Sequence, residues 1–471
     1  MIKETTLAVI FANRDFFPDH LVTEARKDIL GLFKKLKLKS VMLDEQATKL
    51  GGVETYADAR KCADYFSKHR DVIDGILVVL PNFGDEKGVL DTIRMAGLNV
   101  PILIQGYPDE LDRMDVSRRR DAYCGKISVC NNLYQAGIPY SLTRKHVIHP
   151  DDGIFQEDLE KFAAVCRVVK GLRGARIGAI GARPGAFNTV RYSEKILEAN
   201  NISVTTFDLS EVLGDFEQLS DSDIRVQQKI EEINAYANSE DVPEEKLIRI
   251  ARLGVVLSDI IAGNDLDATA IQCWTSMQKN FGINVCTSMS MMSESLVPSA
   301  CEVDVTGVLT MYAMQLASGV PSALADWNNN YGSDEDKLVM FHCGNWCKSF
   351  LPGLKLSTAP ILGTTVGEEN TYGALEGRTP GGPLTYCRIS TDDIRGSVKA
   401  FVGEGELTDD NLDTFGSRAV AHIPGLDKLM QHVCENGFEH HVALNKSRTA
   451  GILKEAFEKY LGWELYHHST N

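Results

Sequence analysis

Short apolar runs alternate with segments of helical period along the first third of the chain. Thr6–Phe11 reads as a buried strand. After the polar loop 13–18, the apolar positions Val22, Ala25, Ile29, Leu32, Phe33 and Leu36 recur at helical spacing. Residues 40–43, 75–80 and 100–105 are further apolar strands set apart by helical lengths. Strands alternating with amphipathic helices predict a parallel sheet covered on both faces across residues 1–172. Ligands gather beyond the carboxyl ends of such strands, which singles out the glycine-bearing loops 81–86 and 106–108.

The same rhythm restarts near Gly174, with strands expected at 175–180, 203–207, 268–273 and 283–286. Residues 220–246 are polar apart from Val226, Ile230, Ile233 and Ala237, a thin stripe that predicts a surface helix with a loop at 238–243. A second α/β domain over 173–351 follows from this pattern. Beyond residue 351 Gly and Pro become frequent, and runs such as 384–389 and 398–402 look like strands without intervening helices. They predict a small, mostly antiparallel C-terminal β domain over 352–471, ending in a helix at 449–460 and a strand at 464–468.

Length and charge narrow the functional classes. A chain of 471 residues exceeds one core, so about two to four domains are expected. The net charge of −16 disfavours nucleic acid and anionic membrane as partners. No leader-like apolar run opens the sequence, and none approaches a bilayer-spanning length. The eleven cysteines are irregularly spaced and form no C-x-x-C pair, which reads as reduced cytoplasmic thiols instead of a disulfide framework. The glycine-rich stretch 178–185 lacks G-x-G-x-x-G spacing and reads as a structural turn. No G-x-S-x-G is present to support a serine nucleophile.

Four polar side chains stand out. Glu302 precedes a helix-like run at 305–317, Asp326 ends an apolar run, and His342 sits at a strand end before Gly344. The fourth is one of the adjacent pair His440 and His441. Taken singly each is an ordinary surface or cap residue. Together, two carboxylates and two imidazoles can hold one divalent first-row ion and leave positions open for a diol. Oxygen ligands suit Mn²⁺ or Mg²⁺, and imidazole draws preference toward transition ions such as Co²⁺.

These residues, with the stretches 13–18, 80–86, 271–274 and 382–390, make the chain similar to the L-fucose isomerase and L-arabinose isomerase superfamily, in its shorter fucose-isomerase-like form. The resemblance covers nearly the whole chain. It implies two Rossmann-like domains and a C-terminal barrel-like domain. It implies a metal-dependent aldose–ketose isomerase using Mn²⁺, in a homo-oligomer that is hexameric or trimer-based. Glu302 and Asp326 match the two carboxylate ligands in spacing and carry the acid–base work. His342 matches the additional histidine of the arabinose branch, and His441 matches the second position of the late His-His motif. Gln272, Trp274, Asn345, Asn436 and His440 are then expected sugar contacts, and Arg14 and Phe83 are expected to reach a neighbouring subunit's site. L-fucose, D-arabinose, L-arabinose and related deoxy or sulfo sugars share the reacting diol. A non-catalytic sugar-binding protein and a metal-dependent aldolase or epimerase are the competing classes.

Overall fold

The computed structural model describes residues 4–469. The chain forms two compact units, one of residues 1–170 with 455–462, the other of 171–454 with 463–471.

In the first unit, β1 (Thr6–Phe11), β2 (Lys39–Val41), β3 (Gly75–Leu80), β4 (Ile102–Gly106) and β5 (Ser141–Leu142) form one parallel sheet in the order 2-1-3-4-5. The period-2 geometry of a strand sends alternate side chains of β1 to two separate cores. Ala8 and Ile10 join one, and Leu7, Val9 and Phe11 the other. The order reverses between β1 and β3, and the loops after those two strands meet there. Asn82 donates to Asn13 Oδ1 (2.6 Å), and Arg14 Nε donates to Gly84 O (2.9 Å). This is the doubly wound arrangement that the sequence pattern predicts.

The second unit holds two sheets. β6 (Arg176–Ile180), β7 (Ser203–Phe207), β8 (Ala268–Ile271) and β9 (Ser299–Ala300) form a parallel sheet in the order 7-6-8-9. The strand expected at 283–286 is not formed. Residues 283–285 are irregular and Cys286 opens the helix Cys286–Glu294. The apolar run there is too short to tell strand from buried helix, and packing decided for the helix.

The remaining strands are β10 (Ser322–Asn330), β11 (Lys337–His342), β12 (Lys355–Ser357), β13 (Ala374–Arg378), β14 (Gly382–Asp392), β15 (Ser397–Thr408), β16 (Ser417–His422), β17 (His441–Asn445) and β18 (Glu464–His468). They form a nine-stranded, mostly antiparallel sheet. Six of them, β10, β11, β16, β15, β14 and β17, pair in a cycle that returns to β10, with every pairing antiparallel. Alternate residues of these strands fill one core: Ala323 and Ala325, Leu338 and Met340, Leu384 and Tyr386, Ala419 and Ala421, Val442 and Leu444. The same core continues into the parallel sheet through Ile180 and Ile271. Among the described residues, no helix is long and apolar enough to cross a membrane.

Candidate metal centre

The expected ligands come from four different elements of the second unit. Glu302 follows β9, at the carboxyl edge of the parallel sheet. It and Val303 both adopt left-handed backbone conformations (φ 55°). Such φ values are uncommon for any side chain and rare for a β-branched one, so the surrounding structure must hold this turn. It aims the carboxylate inward, where Glu302 is 5% exposed. Asp326 on β10 lies directly opposite His441 on β17. Residues opposed in an antiparallel pair share a face, so the register alone brings these two together. A register irregularity follows in β10 between Trp327 and Asn329. His342 ends β11 and is buried.

Together with His440, the four residues fall into two overlapping groups that share His441. Glu302, His342 and His441 form a fully buried triad, and Asp326, His440 and His441 a more open one. Glu302 Oε1 accepts the Trp274 indole N–H (3.0 Å) and the Cys273 thiol (3.4 Å). Oε2 has no partner, and neither has His342 Nε2. Oε2 lies 3.8 Å from His342 Nε2 and 3.8 Å from His441 Nε2. His441 Nε2 lies 3.4 Å from Asp326 Oδ1. Two ligands bonded to one ion at about 2.1 Å stand about 3.0–3.5 Å apart. Buried polar atoms left without partners at nearly that spacing are what a divalent cation would satisfy. The residues therefore fit the ion.

The two imidazoles differ in what holds their other nitrogen. His441 Nδ1 bonds Asp304 Oδ2 at 2.8 Å. A carboxylate only accepts, so the proton is on Nδ1 and the Nε2 lone pair faces the site. His342 Nδ1 instead accepts the Cys343 backbone N–H (3.0 Å), which places the proton of a neutral ring on Nε2. Burial works against charge on His342, while Cys343 and the carboxylates pull its pKa up to about 10. The hydrogen bond to Cys286, foremost, holds Cys343 itself above its usual pKa. His342 can join a ligand set only by giving up its Nε2 proton.

Asp304 was not among the residues the sequence singled out. It caps the helix Val305–Ser318 by accepting from Gly307 N (2.8 Å). Arg388 grips its two oxygens at 2.6 and 2.9 Å. The three bonds fill the space so tightly that a Cβ on Gly307 would lie 2.3 Å from Asp304 Oδ2. Burial pushes Asp304 up, but Arg388 and His441 outweigh it and hold it well below the usual carboxylate range. For Glu302 burial dominates and raises the pKa against the pull of His342 and His441. Asp326 goes the other way. Burial raises it, and the His440 hydrogen bond with the nearby imidazoles brings it below the ordinary value.

The other expected contacts divide. Trp274, His440 and Asn345 adjoin the site: Asn345 Nδ2 donates to Cys301 Sγ (3.4 Å), and His440 Nε2 lies 3.4 Å from Asp326 Oδ1. Phe187, which the sequence did not flag, stands edge-on to Trp274 (5.5 Å) and His440 (5.1 Å). Its one sequence signal is its place just beyond the glycine turn that ends β6. Gln272 is turned to its own sheet edge, accepting from Ala182 N (2.9 Å). Asn436 ends the helix Leu426–Glu435 and donates to His432 O (2.9 Å), beside a cavity of about 690 Å³ lined also by Arg191 and Lys399. In the first unit the Arg14 guanidinium lies over the Phe83 ring at 4.1 Å.

A regular strand would send His440 and His441 to opposite faces. β17 begins only at His441, so His440 is free of that alternation, and both rings approach Asp326. His441→Ala is expected to weaken Mn²⁺ binding by at least about 10-fold. His440→Ala is expected to leave Mn²⁺ binding in place and to raise the KM for sugar. Calorimetric titration with Mn²⁺ alongside steady-state kinetics reads both, and the reverse pattern would exchange the two roles.

Comparison with known proteins agrees with this architecture. Residues 8–173 match the family model "Fucose/sulfoquinovose isomerase, N-terminal domain", and residues 340–468 match "L-fucose isomerase, C-terminal domain". The chain is 25% identical over 331 residues to the sulfoquinovose isomerase of Alkalicoccus urumqiensis, an alignment spanning 63% of this chain and 66% of that protein. It is 25% identical over 304 residues to the sulfoquinovose isomerase of Priestia aryabhattai, covering 63% and 65%. The chain thus spans just under two thirds of the length of these relatives. An ABC transporter solute binding protein from Burkholderia multivorans aligns over 68% of this chain at 9% identity with a TM-score of 0.19, too low to inform the fold. With both domain families matched in order, and a buried carboxylate–imidazole site between the matched segments and within the second, the chain belongs to the fucose isomerase-like family.

Proposed function

We propose that this chain is a metal-dependent aldose–ketose isomerase of a small aldose: L-fucose, D-arabinose, L-arabinose, or a related deoxy or sulfo sugar. The observation that carries this is the buried Glu302–His342–His441 triad, with Glu302 Oε2 and His342 Nε2 unpartnered, in a chain of a sugar isomerase family. Its kinship with sulfoquinovose isomerases puts sulfo sugars first on the panel.

Glu302, Asp326 and His441 would hold the cation, Mn²⁺ foremost and Mg²⁺ or Co²⁺ otherwise, with His342 joining on losing its proton. When bound, the cation supplies Lewis-acid polarisation of the sugar's carbonyl and adjacent hydroxyl oxygens. The chain's own groups do the rest. Asp326 is ionised at neutral pH and its side chain is 28% exposed, so its carboxylate can take the proton from C2. His440 steadies Asp326 through its Nε2. Glu302, buried and raised in pKa, is suited to return a proton at C1. Trp274 and Phe187 wall the site with aromatic surface and keep water from the ene-diol. Gln272, Asn345 and Asn436 are further proposed sugar contacts. Arg14 and Phe83 would serve the site of another copy in a homo-oligomer. Eleven free cysteines suit a reducing, cytoplasmic setting.

The test is a panel of these aldoses with Mn²⁺, reading ketose by NMR. EDTA-treated protein is expected to lose turnover and to regain it with Mn²⁺ better than with Ca²⁺, which prefers oxygen ligands. Full activity after metal removal, or tight sugar binding with no product, would overturn the reading; cleaved or epimerised products would assign another metal enzyme. In D₂O the ketose is expected to carry deuterium at C1, because a carboxylate-held proton exchanges with water. Complete retention of the C2 hydrogen would replace proton transfer by a hydride shift.

A further inference from the structure

A second cluster of ligating side chains lies against the carboxylate–imidazole site and has no part in the isomerase reading. The Sγ atoms of Cys286, Cys301 and Cys343 all lie within 4.8 Å of one another. Three separate elements deliver them. Cys286 opens the helix Cys286–Glu294, Cys301 follows β9, and Cys343 follows β11. Cys286 and Cys301 are fully buried, Cys343 is half-buried, and all three are free thiols. Met289, three residues on from Cys286 and so on the same helix face, places Sδ 4.0 Å from Cys301 Sγ. Three thiol sulfurs from three elements therefore lie together, with a thioether beside one of them.

The spacing is close to that of a bound ion. Three thiolates at about 2.3 Å from a metal stand about 3.8–4.0 Å from one another. Side-chain rotations of a few tenths of an ångström would bring these sulfurs to that distance. Thiolate and thioether donors select soft ions, and the oxygen-rich neighbouring site selects harder ones. The two sites thus sort cations by donor chemistry, although Cys301 adjoins Glu302 and Cys343 adjoins His342 in sequence.

We propose that Cys286, Cys301 and Cys343, with Met289 as a fourth donor, form a second cation site that takes one soft, thiophilic d¹⁰ ion per chain. A divalent ion entering it displaces three thiol protons to solvent and gains three metal–sulfur bonds, with no change of oxidation state. The partly exposed Cys343 gives the side of entry. The proposal does not depend on the isomerase reading.

The experiment uses the full chain, freshly reduced and saturated with Mn²⁺, titrated anaerobically with Cd²⁺. Expected are one tightly held Cd²⁺ per chain after desalting, thiolate-to-cadmium charge-transfer absorption, and retained Mn²⁺. Cys286→Ser is expected to weaken Cd²⁺ binding by more than the about 10–100-fold that loss of a mere outer partner costs a metal site. Cys343→Ala carries the same comparison should Cys286→Ser fail to fold, as judged by circular dichroism. Three results would overturn the proposal: Cd²⁺ bound as tightly by both variants, Cd²⁺ that enters only by expelling Mn²⁺, or binding without the charge-transfer band.

Discussion

Glu302→Gln is expected to lower turnover by on the order of 10²–10⁴, the range for a lost general acid or base. The amide keeps the shape and can still accept the Trp274 N–H on its oxygen. What it loses is the charge, the proton, and an acceptor at Oε2, the atom that faces both imidazoles without a partner. An amide NH₂ placed there would meet the Nε2–H of His342 donor to donor. Asp326→Asn is expected to show a similar loss, since the same exchange removes the more exposed and more acidic carboxylate. Metal content measured beside the rate separates the roles. A variant that holds Mn²⁺ and turns over normally is not an acid or base here.

Asp304→Asn is expected to cost about 3–5 kcal/mol of stability, the range for removing one partner of a buried ion pair. Asp304 is fully buried and bonded to Arg388 twice, to Gly307 N, and to His441. An amide keeps the volume and leaves the Arg388 cation buried with Glu439 as its remaining counter-charge, 3.1 Å from Nε. The same change reaches the candidate metal centre. An asparagine NH₂ facing His441 Nδ1 would favour the tautomer with the proton on Nε2, removing the lone pair that faces Glu302 and Asp326. Mn²⁺ affinity is therefore expected to fall by about 10–100-fold. Urea unfolding and Mn²⁺ titration check the two effects, and unchanged values in both would mean that Asp304 is only a helix cap. The pH dependence has a definite sign. The folded pKa of Asp304 lies below its unfolded value near 3.9, so its contribution is present above about pH 4 and is lost as the pH falls. The wild type should show this acid loss, and Asp304→Asn should lack it.

Much of this architecture is written in local pattern. Local pattern places β3 at Gly75–Leu80, β7 at Ser203–Phe207, β18 at Glu464–His468 and the helix beginning at Val305; β3 and that helix bury faces that their own sequences make apolar. The parallel and antiparallel regions follow from whether helices separate the strands. The candidate ligands were legible as chemistry, since carboxylates and imidazoles beside strand ends and glycine turns have few other reasons to cluster. The failed strand at 283–286 marks the limit: four apolar residues fit a strand and a helix start equally well, and only packing chooses.

The tertiary structure decided what depends on partners distant in sequence. Register between β10 and β17 sets Asp326 against His441, 115 positions apart, and the late start of β17 lets His440 turn the same way. Asp304 went unmarked in the sequence because only its N-cap bond is local, while its bonds to Arg388 and His441 span 84 and 137 residues. The tautomers of the two site histidines were decided the same way, by which group each Nδ1 meets. Likewise Cys286, Cys301 and Cys343 form no recognisable spacing motif, and they become a cluster only where a helix start and two strand ends converge. Sequence determines which residues can perform the chemistry and which faces must be buried. The contacts that orient a carboxylate, fix a proton on one ring nitrogen or gather three thiols are non-local, and they exist only once the whole second unit has closed around them.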